Sequence, residues 1–241
     1  MCIRDRYEAE EKITVNGNVD LYAVVFNRTT ETDLTEDQLP QVDIYKYKQV
    51  IFVGDSRTEF MENVLTGMGE SATKNVKFVC SAGKGLDWFT TTGWAQLYSI
   101  VQHDSNSILS KKTAVIFNFG VNDLSKSADY AEYYNWIAPQ LKSKGCELYF
   151  MSVNPVNRLM LPNAGRADRS EAAVRSFNQY MKANLSSAYT YIDMYSYLKS
   201  TGYSFASDHY GTGTVDDGLH YTTRTYKRIF AKCMDSLRVP A

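Results

Sequence analysis

The feature that most constrains this chain is the recurrence of short apolar, β-branched runs separated by helical stretches. The runs are Gln49–Val53, Val76–Cys80, Ala114–Phe119, Cys146–Val153 and Tyr189–Ile192. Helical patterns lie between and after them, including Trp94–His103, Tyr130–Lys144, Ala167–Asn184 and Thr223–Leu237. Runs without polar alternation suit strands buried on both faces. Strands alternating with helices predict an α/β fold with a parallel sheet covered on both sides. There is no internal repeat and no low-complexity segment.

An open parallel sheet binds its ligand beyond the carboxyl ends of its strands. The residues that follow each run therefore matter most. They are Gly54-Asp55-Ser56, then Ser81 to Gly85, then Gly120-Val121-Asn122-Asp123, then Asn154-Pro155-Val156-Asn157. Ser56 stands where an apolar run, Val50 to Val53, gives way to the helical stretch beginning Arg57-Thr58-Glu59. Such a joint is either a plain turn or a place that holds a nucleophile up to solvent.

A serine hydroxyl is a weak nucleophile at neutral pH and needs a base within hydrogen-bond reach. The natural base is histidine, with a pKa near 6.5. His103 ends a helical stretch and is expected at the surface. His209 directly follows Asp208, and adjacent side chains diverge. His220 has Asp217 three residues before it, with Gly218 between. A turn at Gly218 can bring the Asp217 carboxylate onto the imidazole Nδ1–H, which fixes the tautomer and supports an imidazolium. Acyl transfer also needs donors for a developing oxyanion. The backbone N–H of Ser56, that of Gly85 and the uncharged Asn122 amide are the candidates. Each motif also has a plainer reading: Asp-Gly as a surface turn, Gly83 and Gly85 as loop residues, "GVND" as turn formers.

Taken together, "GDS", a later glycine, "GVND" and "DGLH" resemble the four sequence blocks of the SGNH (GDSL-type) hydrolases. They occur in the family's order across roughly Tyr45 to Leu237. The resemblance implies a flavodoxin-like three-layer α/β/α sandwich of about five parallel strands. It implies that Ser56 is the nucleophile, His220 the base and Asp217 its orienting acid. It places Gly85 and Asn122 beside the Ser56 N–H in an oxyanion hole, with Gly83 as the alternative to Gly85. Two positions depart from the family pattern. Arg57 replaces the usual leucine; it is expected either to meet an anionic substrate or to be a solvated helix start. Cys80 stands where an asparagine is usual. Asn154 is a further candidate for substrate contact, or a loop residue. Asp55 and Asp123 are expected to bond nearby backbone N–H groups.

The function implied is a serine esterase working through an acyl-enzyme. No long apolar insertion suggests a lid or acyl tunnel, which favours short, acetyl-type groups. A non-catalytic surface-binding module of the same fold, an acyltransferase and a lipase-type member are the alternatives. A net charge of −1 gives no reason to expect nucleic acid. No apolar run approaches the roughly 20 residues of a membrane helix, so no membrane insertion is expected. The partner is a small-molecule or carbohydrate ester. No metal or other cofactor is expected: the four cysteines (Cys2, Cys80, Cys146, Cys233) have no metal spacing, and no disulfide is expected among them. The high aromatic share, with 18 tyrosines, fits Tyr-rich strands and helix faces or a surface that stacks on sugars.

The first 41 residues read as an extension, and residues 42–241 as the hydrolase domain. Met1 to Arg6 resembles translated adaptor sequence, which implies that the natural chain begins further upstream. Ile13–Phe26 alternates around Asn16-Gly17-Asn18, a hairpin signal. It resembles the closing strands of small β repeats on bacterial surface proteins, which points to an extracellular or cell-surface location. Asn27–Gln41 is polar and reads as a linker.

Overall fold

The computed structural model describes residues 34–35, 38–41, 46–69, 72–104, 112–206, 211–213 and 215–237. The hairpin expected over Ile13–Phe26, most of the linker, Cys2 and His209 lie outside the described residues, as does the His103 side chain.

Strands β1 (Tyr47–Gly54), β2 (Val76–Cys80), β3 (Lys112–Asn118), β4 (Cys146–Met151) and β5 (Tyr189–Ile192) form one parallel sheet in the order β2-β1-β3-β4-β5. Successive side chains of a strand point to opposite faces. Ile51, Val53, Val115, Phe117, Leu148 and Phe150 enter one core. Val50, Phe52, Ala114, Ile116, Tyr149 and Met151 enter the other. That division is why the runs show no polar alternation.

The helices are α1 (Ser56–Thr66), α2 (Leu86–Trp88), α3 (Trp94–Asp104), α4 (Ser127–Ser143), α5 (Glu171–Asn184), α6 (Met194–Thr201) and α7 (Thr223–Ser236). Helices α3, α4 and α5 cover the first face, through residues such as Leu97, Tyr134 and Phe177. Helices α1, α6 and α7 cover the second, through residues such as Val64, Leu198 and Phe230. The expected three-layer α/β/α sandwich of five parallel strands is what the chain forms. Tyr47, Tyr130, Tyr134, Tyr221 and Tyr226 are almost wholly enclosed, so much of the tyrosine content fills the interior. Leu39, from the stretch read as a linker, is buried against the second core. No described helix is long and apolar enough to cross a membrane.

One boundary matters for the site. The stretch from Ala167 was expected to be helical, yet α5 starts only at Glu171. The Ser170 side chain accepts from Ala173 N–H and caps the helix there. Residues 166–170 consequently run free of the helix and reach over the carboxyl edge of the sheet.

The register aligns that edge. Gly54 at the end of β1 pairs with Cys80 of β2 and with Asn118 of β3. The chain leaves these strands side by side, at the point where the strand order reverses, and a crevice forms there. The loops above it lack ladder bonds and need other partners for their carbonyls.

Arg57 supplies several. Its Nε donates to Leu219 O (2.9 Å), Nη1 to Asn154 O (2.8 Å) and Nη2 to Pro155 O (2.9 Å). The guanidinium also lies over the Tyr221 ring, 5.1 Å from its centroid. Arg57 is buried, so it is not a solvated helix start, and its nitrogens are turned to the protein's own loops rather than held out to an anionic substrate. It is an internal tie between the start of α1 and two loops, made possible by a planar fork of donors that leucine lacks. Each abandoned buried carbonyl costs about 1–3 kcal/mol, offset in part because leucine need not be stripped of water. Arg57→Leu is therefore expected to lose about 2–4 kcal/mol in urea unfolding; an unchanged midpoint would contradict the role given to this side chain.

Candidate active site

Asp217, Leu219 and His220 occupy the loop before α7. The turn expected at Gly218 is present: its φ is +73°, and a Cβ there would lie 2.3 Å from Asn157 O. This turn folds the chain so that Asp217 Oδ1 accepts the backbone N–H groups of Leu219 (2.9 Å) and His220 (2.8 Å). Asp217 Oδ2 is then 2.6 Å from His220 Nδ1. With a proton on Nδ1, the other ring nitrogen is left as an acceptor. His220 Nε2 lies 2.9 Å from Ser56 Oγ. Hydroxyl, imidazole and carboxylate, brought from the two ends of the domain, form one continuous hydrogen-bonded line.

Two further side chains hold this line. Phe60, one helical turn beyond Ser56, stacks on the imidazole with ring centroids 4.3 Å apart. Arg166 Nη2 donates to Asp217 Oδ2 at 3.1 Å. The electrostatics follow from burial and these contacts. Burial alone would raise the Asp217 carboxyl, but the bonds from the His220 ring, its backbone and Leu219 hold it at about 2. For His220, burial lowers the pKa from its ordinary 6.5; Asp217 pulls it up, the Arg57 and Arg166 cations push it down, and the net shift is downward. Burial also pushes the Asp55 carboxyl up to about 6. Asp55 caps α1, its Oδ1 accepting from Arg57 N–H at 3.0 Å, as expected.

Three loops carry the donors expected from the sequence. Ser56 N–H is the first of α1 and has no acceptor within the helix. Between Gly83 and Gly85, the geometry distinguishes the close approach. A Cβ on Gly85 would sit 2.3 Å from Asp123 Oδ2, whereas nothing lies within 4 Å of one on Gly83. Asp123 accepts Leu86 N–H (2.9 Å) and the Tyr130 hydroxyl (2.7 Å), which fixes the loop carrying Gly85. Asn122 Nδ2 donates to Lys84 O (2.8 Å), and its Oδ1 accepts from Arg169 Nη2 (2.9 Å).

Asn154 is enclosed. Its carbonyl serves Arg57, and its Oδ1 has no protein partner among the described residues. It contributes backbone to the site rather than an exposed side chain. Cys80 turns away to Glu62, its Sγ 3.3 Å from Oε2. Phe60 was findable in the sequence, four residues from Ser56 on the same helix face. Arg166 and Arg169 left no such signal. Beside Asn122 opens a cavity of about 460 Å³, whose walls include Ser125, Arg158, Asp168, Arg169 and Ser170. Among the described residues no cluster of three or more metal-ligating side chains occurs.

A family model described as GDSL-like Lipase/Acylhydrolase matches residues 50–233. The fold resembles that of a candidate SGNH hydrolase from Slackia heliotrinireducens (TM-score 0.54, 12% identity, covering 80% of this chain and 100% of that one). It also resembles a candidate acylhydrolase from Bacteroides fragilis (TM-score 0.51, 16% identity, 83% and 92%). A third similar structure is an acetyl xylan esterase (TM-score 0.51, 12% identity, 79% and 100%). No curated protein matches the chain. At these identities the structural likeness is one of fold, and the match over residues 50–233 carries the assignment: the chain belongs to the GDSL-like lipase/acylhydrolase family, as a serine hydrolase of the SGNH type.

Proposed function

We propose that the chain is a serine esterase that removes short acyl groups, chiefly acetyl, from carbohydrate esters outside the cell. The observation that carries this reading is the unbroken line from Ser56 Oγ through His220 to Asp217, with steps of 2.9 and 2.6 Å. Ser56 Oγ attacks the ester carbonyl carbon while its proton passes to His220 Nε2. Asp217 stabilises the resulting imidazolium through Nδ1–H. The oxyanion is held by the N–H groups of Ser56 and Gly85 and by Asn122 Nδ2. The carbon–oxygen bond to the alcohol breaks, and His220 returns the proton to that alcohol. A water, deprotonated by the same Nε2, then hydrolyses the acyl-enzyme.

Two features favour a small acyl group on a polar carrier. The cavity beside Asn122 carries an ion pair, Arg158 with Asp168 at 2.8 Å, and two serines among apolar Val121, Leu124, Ala167 and Ala173, so it offers hydroxyl groups several hydrogen-bonding partners. One solved example of the fold is an acetyl xylan esterase, so the scaffold accommodates such chemistry. The sequence pattern of Ile13–Phe26, which resembles bacterial surface repeats, supports an extracellular setting.

Faster turnover is expected on p-nitrophenyl acetate than on the octanoyl ester, with Ser56→Ala losing about 10⁴–10⁶ in kcat. Equal or faster octanoyl cleavage would refute the short-acyl preference, and a fully active Ser56→Ala protein would remove the nucleophile assignment. The pH profile supplies a separate test. A protonated His220 cannot accept the Ser56 proton, so kcat/KM falls as pH drops through the imidazole pKa. Burial and the adjacent cations place that pKa below 6.5. The acidic limb of kcat/KM is thus expected to centre below pH 6.5; a midpoint at or above that value would contradict the balance of burial and cations over Asp217 at His220.

A further inference from the structure

An oxyanion hole is useful only if its donors are aimed before the charge develops. Two of the three proposed donors belong to backbone. The third, Asn122, is a side-chain amide, whose two ends are nearly equal in shape but opposite in hydrogen-bonding sense. Something must decide that its NH₂ end, rather than its oxygen, faces the reacting centre.

We propose that Arg169 is the positioning residue that sets the Asn122 amide for oxyanion binding. The inference rests on the reading of Asn122 as an oxyanion donor. Arg169 approaches from the segment just before α5. Its Nε donates to Val121 O (2.6 Å), Nη1 to Ala167 O (2.9 Å) and Nη2 to Asn122 Oδ1 (2.9 Å). On the opposite side, Asn122 Nδ2 donates to Lys84 O at 2.8 Å. The amide is bracketed by a donor and an acceptor. A flipped amide would set NH₂ against guanidinium and oxygen against carbonyl, losing both bonds at once. Only one orientation is satisfied, and it leaves the second Nδ2 hydrogen available to substrate.

The guanidinium charge also polarises the amide through its oxygen, which strengthens the N–H as a donor. Arg169 itself touches no reacting atom.

The test is a double-mutant cycle on p-nitrophenyl acetate. Asn122→Ala alone is expected to lower kcat by about 10²–10³, as loss of an oxyanion donor does. Arg169→Ala is expected to lower kcat by about 10–100-fold with KM within about twofold. In the Asn122→Ala background the same change is expected to cost no more than about twofold, because the side chain it acts through is gone. Arg169→Lys should recover part of the loss, since one ammonium can reach Oδ1 but not all three oxygens. Should Arg169→Ala fail to fold, Arg169→Lys carries the same comparison. An equal kcat loss in both backgrounds, or a raised KM with kcat intact, overturns the proposal while leaving the Asn122 assignment standing. A harmless Asn122→Ala overturns both.

Discussion

The rim of the sheet depends on how one buried carboxylate is satisfied. Asp217 is fully enclosed, and an enclosed charge persists only with partners. It accepts from Leu219 N–H, His220 N–H, His220 Nδ1 and Arg166 Nη2. A carboxylate offers about four lone-pair sites, so these donors saturate it. The imidazole cannot turn away without leaving one site empty in a place water does not reach. That constraint selects the Nδ1–H tautomer and points Nε2 at Ser56. The Gly218 turn and the Phe60 ring refine an orientation that Asp217 already demands.

Arginines do similar work elsewhere. Beyond the strand ends, backbone carbonyls have no ladder partner, and a guanidinium with five N–H groups can serve several at once. Arg57 ties the α1 start to the loops at Asn154–Pro155 and Leu219. Arg169 ties the residues before α5 to the turn at Val121–Asn122. The consequence is electrostatic. Cations near the imidazole oppose its protonation, and so does burial, while Asp217 favours it. Burial and the cations prevail, so the ring stays a neutral acceptor in the resting protein. On the proposed mechanism, the imidazolium formed during attack then leans heavily on Asp217.

The architecture was legible because burial on both faces writes itself into the chain as unbroken apolar runs. Val76–Cys80 and Tyr189–Ile192 have the same limits in the structure as in the sequence, and the other three strands differ only at their ends. The choice of His220 over its competitors was legible for a local reason: Asp217, Gly218 and His220 need only one turn to meet. Arg57 was misjudged because its neighbours suggest an exposed helix start, and its carbonyl partners lie about 100 residues or more away in sequence. The residues before α5 were misjudged because Ala167 to Arg169 have no strong helix breaker, and the Ser170 cap decides the boundary. Arg169 was therefore assigned to a helix, where it could not be seen as part of the site. Local pattern reports strands and turns; it does not report the tertiary target of a long, flexible side chain.

Access to the line of Ser56 and His220 constrains what can react there. Ser56 keeps 5% of its surface exposed and His220 2%. On the proposed reading, so little exposed surface suits a group that is thin at the carbonyl, with the bulk of the ester outside. The neighbouring cavity carries polar groups, among them Asn122, two serines and the Arg158–Asp168 pair, beside apolar Val121, Leu124, Ala167 and Ala173. On the proposed reading, selectivity comes less from an acyl pocket than from how the alcohol half lies along this cavity's wall. Asn122 belongs to that wall and, by the same reading, to the oxyanion hole. Its orientation therefore couples substrate placement to stabilisation of the charge that develops on attack.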